Sequence, residues 1–243
     1  MKSRLKLGLI LFALGFLGVL SLLTATIPLP DEFAELSPAI SNILILLNPT
    51  LMLLISVVIG TILYDKVNLT VPVISSLLKK ENATPIFVQQ LKYGIPLGLL
   101  AGTVIVVVAW VFNMIIPHEF EALGSLEVTL LVRFGYGGIT EELLLRFGVM
   151  TLLVWIMSKL IKKLNNPIYW IAIVISTLLF ALGHFPVAFA AISAPSLTLL
   201  TYILIGNSVG GLVYGWLYWK KGLEAAIIAH IFTHVAIVLG TIA

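Results

Sequence analysis

The sequence predicts an all-α fold, a polytopic transmembrane helix bundle with seven spanning helices, or eight if one segment splits. Three observations predict it. Of 243 residues, 60% are hydrophobic and only 10% charged, whereas a soluble domain carries about 25% charged residues. The apolar residues also fall in runs long enough to cross a bilayer, which takes roughly 20 residues of helix. Finally, the loops between the runs alternate between basic and acidic, the pattern expected when Lys and Arg are retained on the cytoplasmic side.

The runs lie near 5–27, 40–64, 91–116, 128–157, 168–188, 197–219 and 222–241. The first follows Lys2, Arg4 and Lys6, as a signal peptide would. Its apolar stretch is long for one, and Thr24-Ala25-Thr26 is a poor cleavage site, so a retained helix is expected. Asn48-Pro49 interrupts the second run. Proline removes a helix hydrogen bond, so a kink is expected there, or a split into two shorter segments that would raise the count to eight. The longest connection, 65–90, contains Val71-Pro72 and then Ile74, Leu77 and Leu78 on one helical face with Lys79 and Lys80 behind them. This suits a short helix lying in the interface or an ordinary loop. There is no internal repeat, and residues 1–243 are expected to form a single integral membrane domain.

Twelve of the 14 basic residues fall on one side of a seven-span chain. They are Lys2, Arg4 and Lys6; Lys66, Lys79, Lys80 and Lys92; Lys159, Lys162 and Lys163; and Lys220 and Lys221. The opposite loops carry only acids: Asp31, Glu32 and Glu35 in one, Glu119, Glu121 and Glu127 in another. The N-terminus is therefore expected in the cytoplasm and the C-terminus outside, in a plasma membrane. There are no cysteines, which excludes disulfides, thiolate zinc sites and a cysteine nucleophile. No basic stripe interleaved with aromatics points to nucleic acid. The partners implied are the lipid bilayer and a peptide or membrane-protein substrate, with the oligomeric state undefined.

The two remaining basic residues, Arg133 and Arg146, lie in the fourth run with Glu141 and Glu142. A charge at the centre of a spanning helix costs roughly 2.5–3.5 kcal/mol. Glu142 and Arg146 are four apart and can pair on one face. An α-helix turns about 100° per residue, so Glu141 should point away from that pair and stay free for chemistry. Structural glue is the plainer reading of the two glutamates, but buried ionic groups rarely stabilise more than apolar packing does. Three of four histidines, His184, His230 and His234, also fall in apolar runs, while His118 sits in an acidic loop and should be solvated. Gly206 and Gly210, then Gly211 and Gly215, have the spacing that lets helices approach closely in lipid. Gly135, Gly137 and Gly138 precede the glutamates and allow tight packing or local unwinding.

Three strings in order resemble the CAAX-type intramembrane endopeptidases, the family of CAAX proteases and bacteriocin-processing enzymes. They are E-E-x-x-x-R at Glu141–Arg146, F-x-x-x-H at Phe180–His184, and His230 followed four residues later by the polar His234. The stretch from Gly211 through Trp216 to Gly222–Ala226 is similar to that family's approach to its last motif. The resemblance spans about 128–240, taken as the catalytic core region; residues 1–127 share only a hydrophobic character. It implies peptide-bond hydrolysis at the membrane on prenylated, peptide-precursor or membrane-protein substrates. Glu141 and His184 would hold and deprotonate the attacking water, Glu142 and Arg146 would orient the site, and His230 and His234 would stabilise the oxyanion. No cofactor is required by this reading. The family often has Asn or Asp where this chain has His234, and histidine also ligates metal. A zinc set of His184, His230, His234 and Glu141 is therefore the alternative, although the spacing lacks the H-E-x-x-H base. A proton-coupled transporter and a catalytically silent immunity or scaffold protein are the rival readings.

Overall fold

The structure is a computed structural model that describes residues 2–25, 36–126 and 128–242. Asp31, Glu32, Glu35 and Glu127, on which the acidic-loop reading partly rests, lie outside the described residues. Among those described the chain is helical throughout, without strands. The helices are α1 (Lys2–Ser21), α2 (Pro38–Leu63), α3 (Pro72–Leu78), α4 (Thr84–Asn113), α5 (Pro117–Gly124), α6 (Thr151–Ile161), α7 (Asn166–Leu182), α8 (Phe185–Ala191), α9 (Leu197–Lys220) and α10 (Leu223–Ile242). Between α5 and α6 the backbone is π-helical over Val132–Glu141 and again over Leu143–Met150.

Among the described residues, seven helical stretches are long and apolar enough to cross a membrane, so the chain is an integral membrane protein. The eight-span alternative is not realised. Pro49 lies inside α2 without splitting it, and Pro96 is likewise carried within α4. The third span starts at Thr84, ahead of the expected 91, because Pro85 at the first helical turn lets the helix begin before the apolar run does. Proline also opens α3, α5, α7 and α8. The caps of α7 and α9 come from side chains: Asn165 accepts from the Ile168 N–H at 3.4 Å and Ser196 from the Leu199 N–H at 3.1 Å.

With lipid outside, close packing rather than water exclusion holds spanning helices together, and small residues let backbones meet. Four seams show this. A Cβ on Gly98 of α4 would strike the Ala229 backbone of α10, one on Gly94 would meet Ile228, and one on Gly102 would meet Thr233. Thr233 fastens the same seam by donating to the Gly98 carbonyl at 3.0 Å. Gly211 and Gly215 of α9 lie against Thr177 and Ile173 of α7, as their spacing predicts. Gly60 of α2 seats Phe147, and Gly148 seats Ser56. Gly18 of α1 rests on Gly135 and Thr140, whose hydroxyl donates to the Gly15 carbonyl at 2.8 Å. The π-helical stretch thus lies at the centre, walled by α1, α2 and α10. Large apolar side chains such as Leu9, Leu17, Ile55, Val107 and Leu178 point outward, where the hydrocarbon would be.

The short segments have definite anchors. α3 is the expected short helix, with Leu77 exposed and Ser76 buried. Glu224 at the start of α10 accepts from the Val73 and Ile74 N–H groups at 2.9 and 3.0 Å. Gly222, at φ +115°, lets the α9–α10 turn pass against Pro72. At the other end of the bundle, Glu119 of α5 accepts from the Ser196 N–H at 2.7 Å and from its hydroxyl at 2.5 Å. That acid, read from sequence as one of a loop's charges, ties α5 to the start of α9.

Candidate active site

A π-helix bonds each N–H to the carbonyl five residues back instead of four, so successive side chains turn through less than the 100° of an α-helix. The wider coil is supported by hydroxyls: Thr151 donates to the Arg146 carbonyl at 3.2 Å and Thr140 to the Gly135 carbonyl at 3.4 Å, each five residues back. Glu141 makes no ion pair with Arg146, as expected, but it does not stand apart from the pair's surroundings. Both carboxylates reach one histidine of α10. His230 Nδ1 is 2.9 Å from Glu142 Oε1, and its Nε2 is 3.9 Å from Glu141 Oε2.

The two glutamates nevertheless differ. Glu142 is fully buried and its Oε2 lies 3.4 Å from Arg146 Nε. Arg146, also fully buried, donates from Nη2 to the Gly211 carbonyl at 2.9 Å. Its guanidinium lies 4.9 Å from the Phe180 ring centroid and 5.4 Å from that of Tyr214, faces that attract a desolvated cation. Glu141 keeps 17% of its side chain exposed and makes no contact with Arg146 closer than an ion pair requires.

The histidines are ordered by aromatic rings. His230 stacks between Tyr214, at 4.4 Å between centroids, and His234, at 5.0 Å. Phe180 meets His184 edge-on at 4.8 Å and His230 at 5.7 Å. His184 occupies the break between α7 and α8, where Pro186 follows. Its Nδ1 lies 2.9 Å from the Phe180 carbonyl. A carbonyl only accepts, so Nδ1 carries the proton and Nε2 is the open acceptor. His234 places Nε2 against Gly137, where a Cβ would stand 2.7 Å away, and its Nδ1 is buried without a hydrogen-bond partner among the described residues.

The three histidines line a cavity of about 910 Å³ bounded by α4, α5, α7, α9 and α10, with Arg133 also in its wall. Neither glutamate is among its lining residues; His230 is the group common to the cavity and the carboxylates. Gly206 and Gly210, expected to seat another helix, face this space instead. Nothing lies closer than 4.0 Å to a Cβ on Gly206, and Gly210 leaves room for the Tyr214 ring. His118 is exposed, as expected.

Among the described residues no three His, Asp or Glu side chains converge as a ligand set. His230 and His234 are stacked within 17° of parallel, so their in-plane lone pairs do not aim at a common ion.

Sequence reasoning missed three contributors. Tyr214, which backs both Arg146 and His230, lies within the Gly211–Trp216 stretch, but an aromatic in an apolar helix carries no distinguishing mark. Thr233 sits between the two histidines in sequence and looked like filler. Gly94, Gly98 and Gly102 repeat every four residues, a legible signal in a region set aside as merely hydrophobic.

The arrangement defines a polytopic membrane protein with an internal carboxylate–histidine centre. Residues 124–236 match the Rce1-like family, type II CAAX prenyl endopeptidases, a region within four residues of the 128–240 expected and containing all three motifs. The match covers 113 of the 243 residues. No curated protein and no solved structure matches the chain.

Proposed function

We propose that the chain is an intramembrane endopeptidase in which Glu141 activates the water that attacks the scissile carbonyl. The observation that supports this best is the asymmetry of the adjacent glutamates: Glu142 is held by Arg146 and His230 and fully buried, and Glu141 alone keeps part of its side chain exposed, beside the His230 ring that lines the cavity. Glu141 takes a proton from water as the oxygen adds to the carbonyl carbon, and returns it to the amine as the C–N bond breaks. His184 Nε2 accepts the water's second hydrogen and fixes its direction.

His230 shares a proton with Glu142 at Nδ1, 2.9 Å away, and Nε2–H is the donor it offers the oxyanion. His234 supplies the other donor. Groups aimed at developing charge in a dry site are the usual source of such stabilisation. Glu142 and Arg146 act on His230 and are positioning residues. The substrate is proposed to be the apolar end of a membrane-associated peptide or protein, drawn through the cavity from the lipid. The enzyme would sit in a plasma membrane with its N-terminus cytoplasmic.

The test is Glu141→Gln. Membrane and secreted peptides would be compared by mass spectrometry in cells carrying wild-type or variant protein. Substrates should accumulate uncleaved with the variant while its level and thermal stability hold. An unchanged peptide profile with an intact phenotype would favour a scaffold, and altered proton-coupled flux a transporter.

A further inference from the structure

Arg133 has no place in the chemistry above, and its surroundings ask for an explanation. It stands at the start of the π-helical stretch, eight residues before Glu141, in the wall of the 910 Å³ cavity. No Lys and no other Arg lines that cavity. Most of the wall is apolar, with Val106 and Trp110 on α4, Ile203 on α9 and Ile237 on α10. Arg133 is half-buried there. Its Nε donates to the Val128 carbonyl at 3.3 Å, which fixes the side chain, while its two terminal nitrogens have no partner among the described residues. Glu121 of α5 lines the same cavity but makes no ion pair with it. Arg146, by comparison, is paired with a carboxylate, bonded to a carbonyl and covered by two rings. A guanidinium anchored by Nε, with its terminal fork unpartnered among the described residues, is the geometry that takes a carboxylate bidentately.

We infer that Arg133 is a carboxylate-binding subsite of this cavity, holding an anionic group of the substrate while its apolar residues lie along the α4, α9 and α10 walls toward His230 and His234. The inference rests on the endopeptidase reading for what enters the cavity, but its test does not depend on turnover. The axial distance suits a short peptide: eight residues of α-helix rise about 12 Å, the wider π-helix rises less per residue, and two or three extended residues reach about 7–11 Å. The carboxylate can come from a chain terminus or from an acidic side chain, and the probes separate these.

The experiment uses full-length Glu141→Gln protein in nanodiscs, so that binding is read without cleavage. Three N-acetylated leucine tetrapeptides serve as probes: one with a free C-terminal carboxylate, one amidated, and one amidated with glutamate at the third position. Affinities are measured by thermophoresis, with and without Arg133→Gln. The free acid, the glutamate peptide, or both should bind about 10- to 100-fold tighter than the neutral amide, the range of a charge-assisted hydrogen-bond pair. That preference should vanish in Arg133→Gln and return in part in Arg133→Lys, which keeps charge but not the fork. Which acid is preferred identifies the source. Equal binding of all three probes, no binding of any, or a uniform loss in Arg133→Gln would overturn the inference and leave Arg133 as an interfacial anchor. Loss of cleavage by Glu141→Gln in cells is a separate outcome, so the two readings fail independently.

Discussion

Arg146→Ala should damage the fold far more than Glu141→Gln, although both change a charged residue of one motif. Arg146 is completely buried, and removing it takes away the 3.4 Å partner of Glu142 and the 2.9 Å bond to the Gly211 carbonyl. It also vacates the slot between Phe180 and Tyr214. Breaking a buried pair by deleting one partner costs about 3–5 kcal/mol. At roughly 2–4 °C per kcal/mol for a chain of this size, the melting midpoint should fall by about 6–20 °C. Glu141→Gln removes a partly exposed carboxylate with no such pair and keeps its shape, so its midpoint should move by less than about 2 °C on the same scale. The assay is thermal unfolding of the purified proteins in one detergent, followed by tryptophan fluorescence. A double variant, Glu142→Gln with Arg146→Ala, should recover part of the loss because no unpaired charge remains. Equal midpoints for Arg146→Ala and Glu141→Gln, or a double variant worse than the sum of its parts, would refute the assignment of Glu142–Arg146 as a structural pair.

Three further outcomes are expected. His234→Asn should keep much of the activity, since an amide donor replaces an imidazole donor, while His234→Ala should lose roughly 10²–10³ in rate; stoichiometric zinc in active wild type together with an inactive Asn variant would reverse the mechanism. Gly137→Ala should displace His234, because its methyl would stand 2.7 Å from Nε2, and should lower kcat while the melting midpoint stays near wild type; unchanged kcat would show that His234 does not need its position. The chain lacks cysteine, so single cysteines replacing Lys80, Lys162 or Lys221 should be labelled only from the cytoplasm and one replacing Glu121 only from outside. External labelling at Lys162 would invert the orientation.

Much of the architecture was legible because lipid imposes a simple rule: a helix must be long and apolar to span. The seven runs and their order could be read from that alone. The motif carboxylates and histidines were legible for the converse reason, being groups that apolar helices exclude unless they serve a purpose. What could not be read is how those groups face one another. The separation of Glu141 from Glu142 was reckoned on α-helical turns, and nothing in Val132–Met150 announces five-residue hydrogen bonding. Only the glycines at 135, 137 and 138 hinted at it. Likewise the spacing of Gly206 and Gly210 is the same whether they seat a helix or border a cavity. Spacing gives a face but not what the face meets.

The glycine seam of α4 bears on how this protein could be divided. The family match begins at residue 124, and a comparison of sequences would suggest a boundary there. Yet Gly94, Gly98 and Gly102 form the wall against which Ala225, Ala229 and Thr233 of the histidine-bearing α10 are seated. A segment cut at 124 would leave that helix face open to lipid, with the Thr233 hydroxyl deprived of the Gly98 carbonyl. Any chimera that grafts the family-matched half onto a foreign N-terminal half must therefore carry a matching ladder of small residues. The recognisable part of the chain supplies the reacting groups, and the unrecognised part supplies the mould that shapes them.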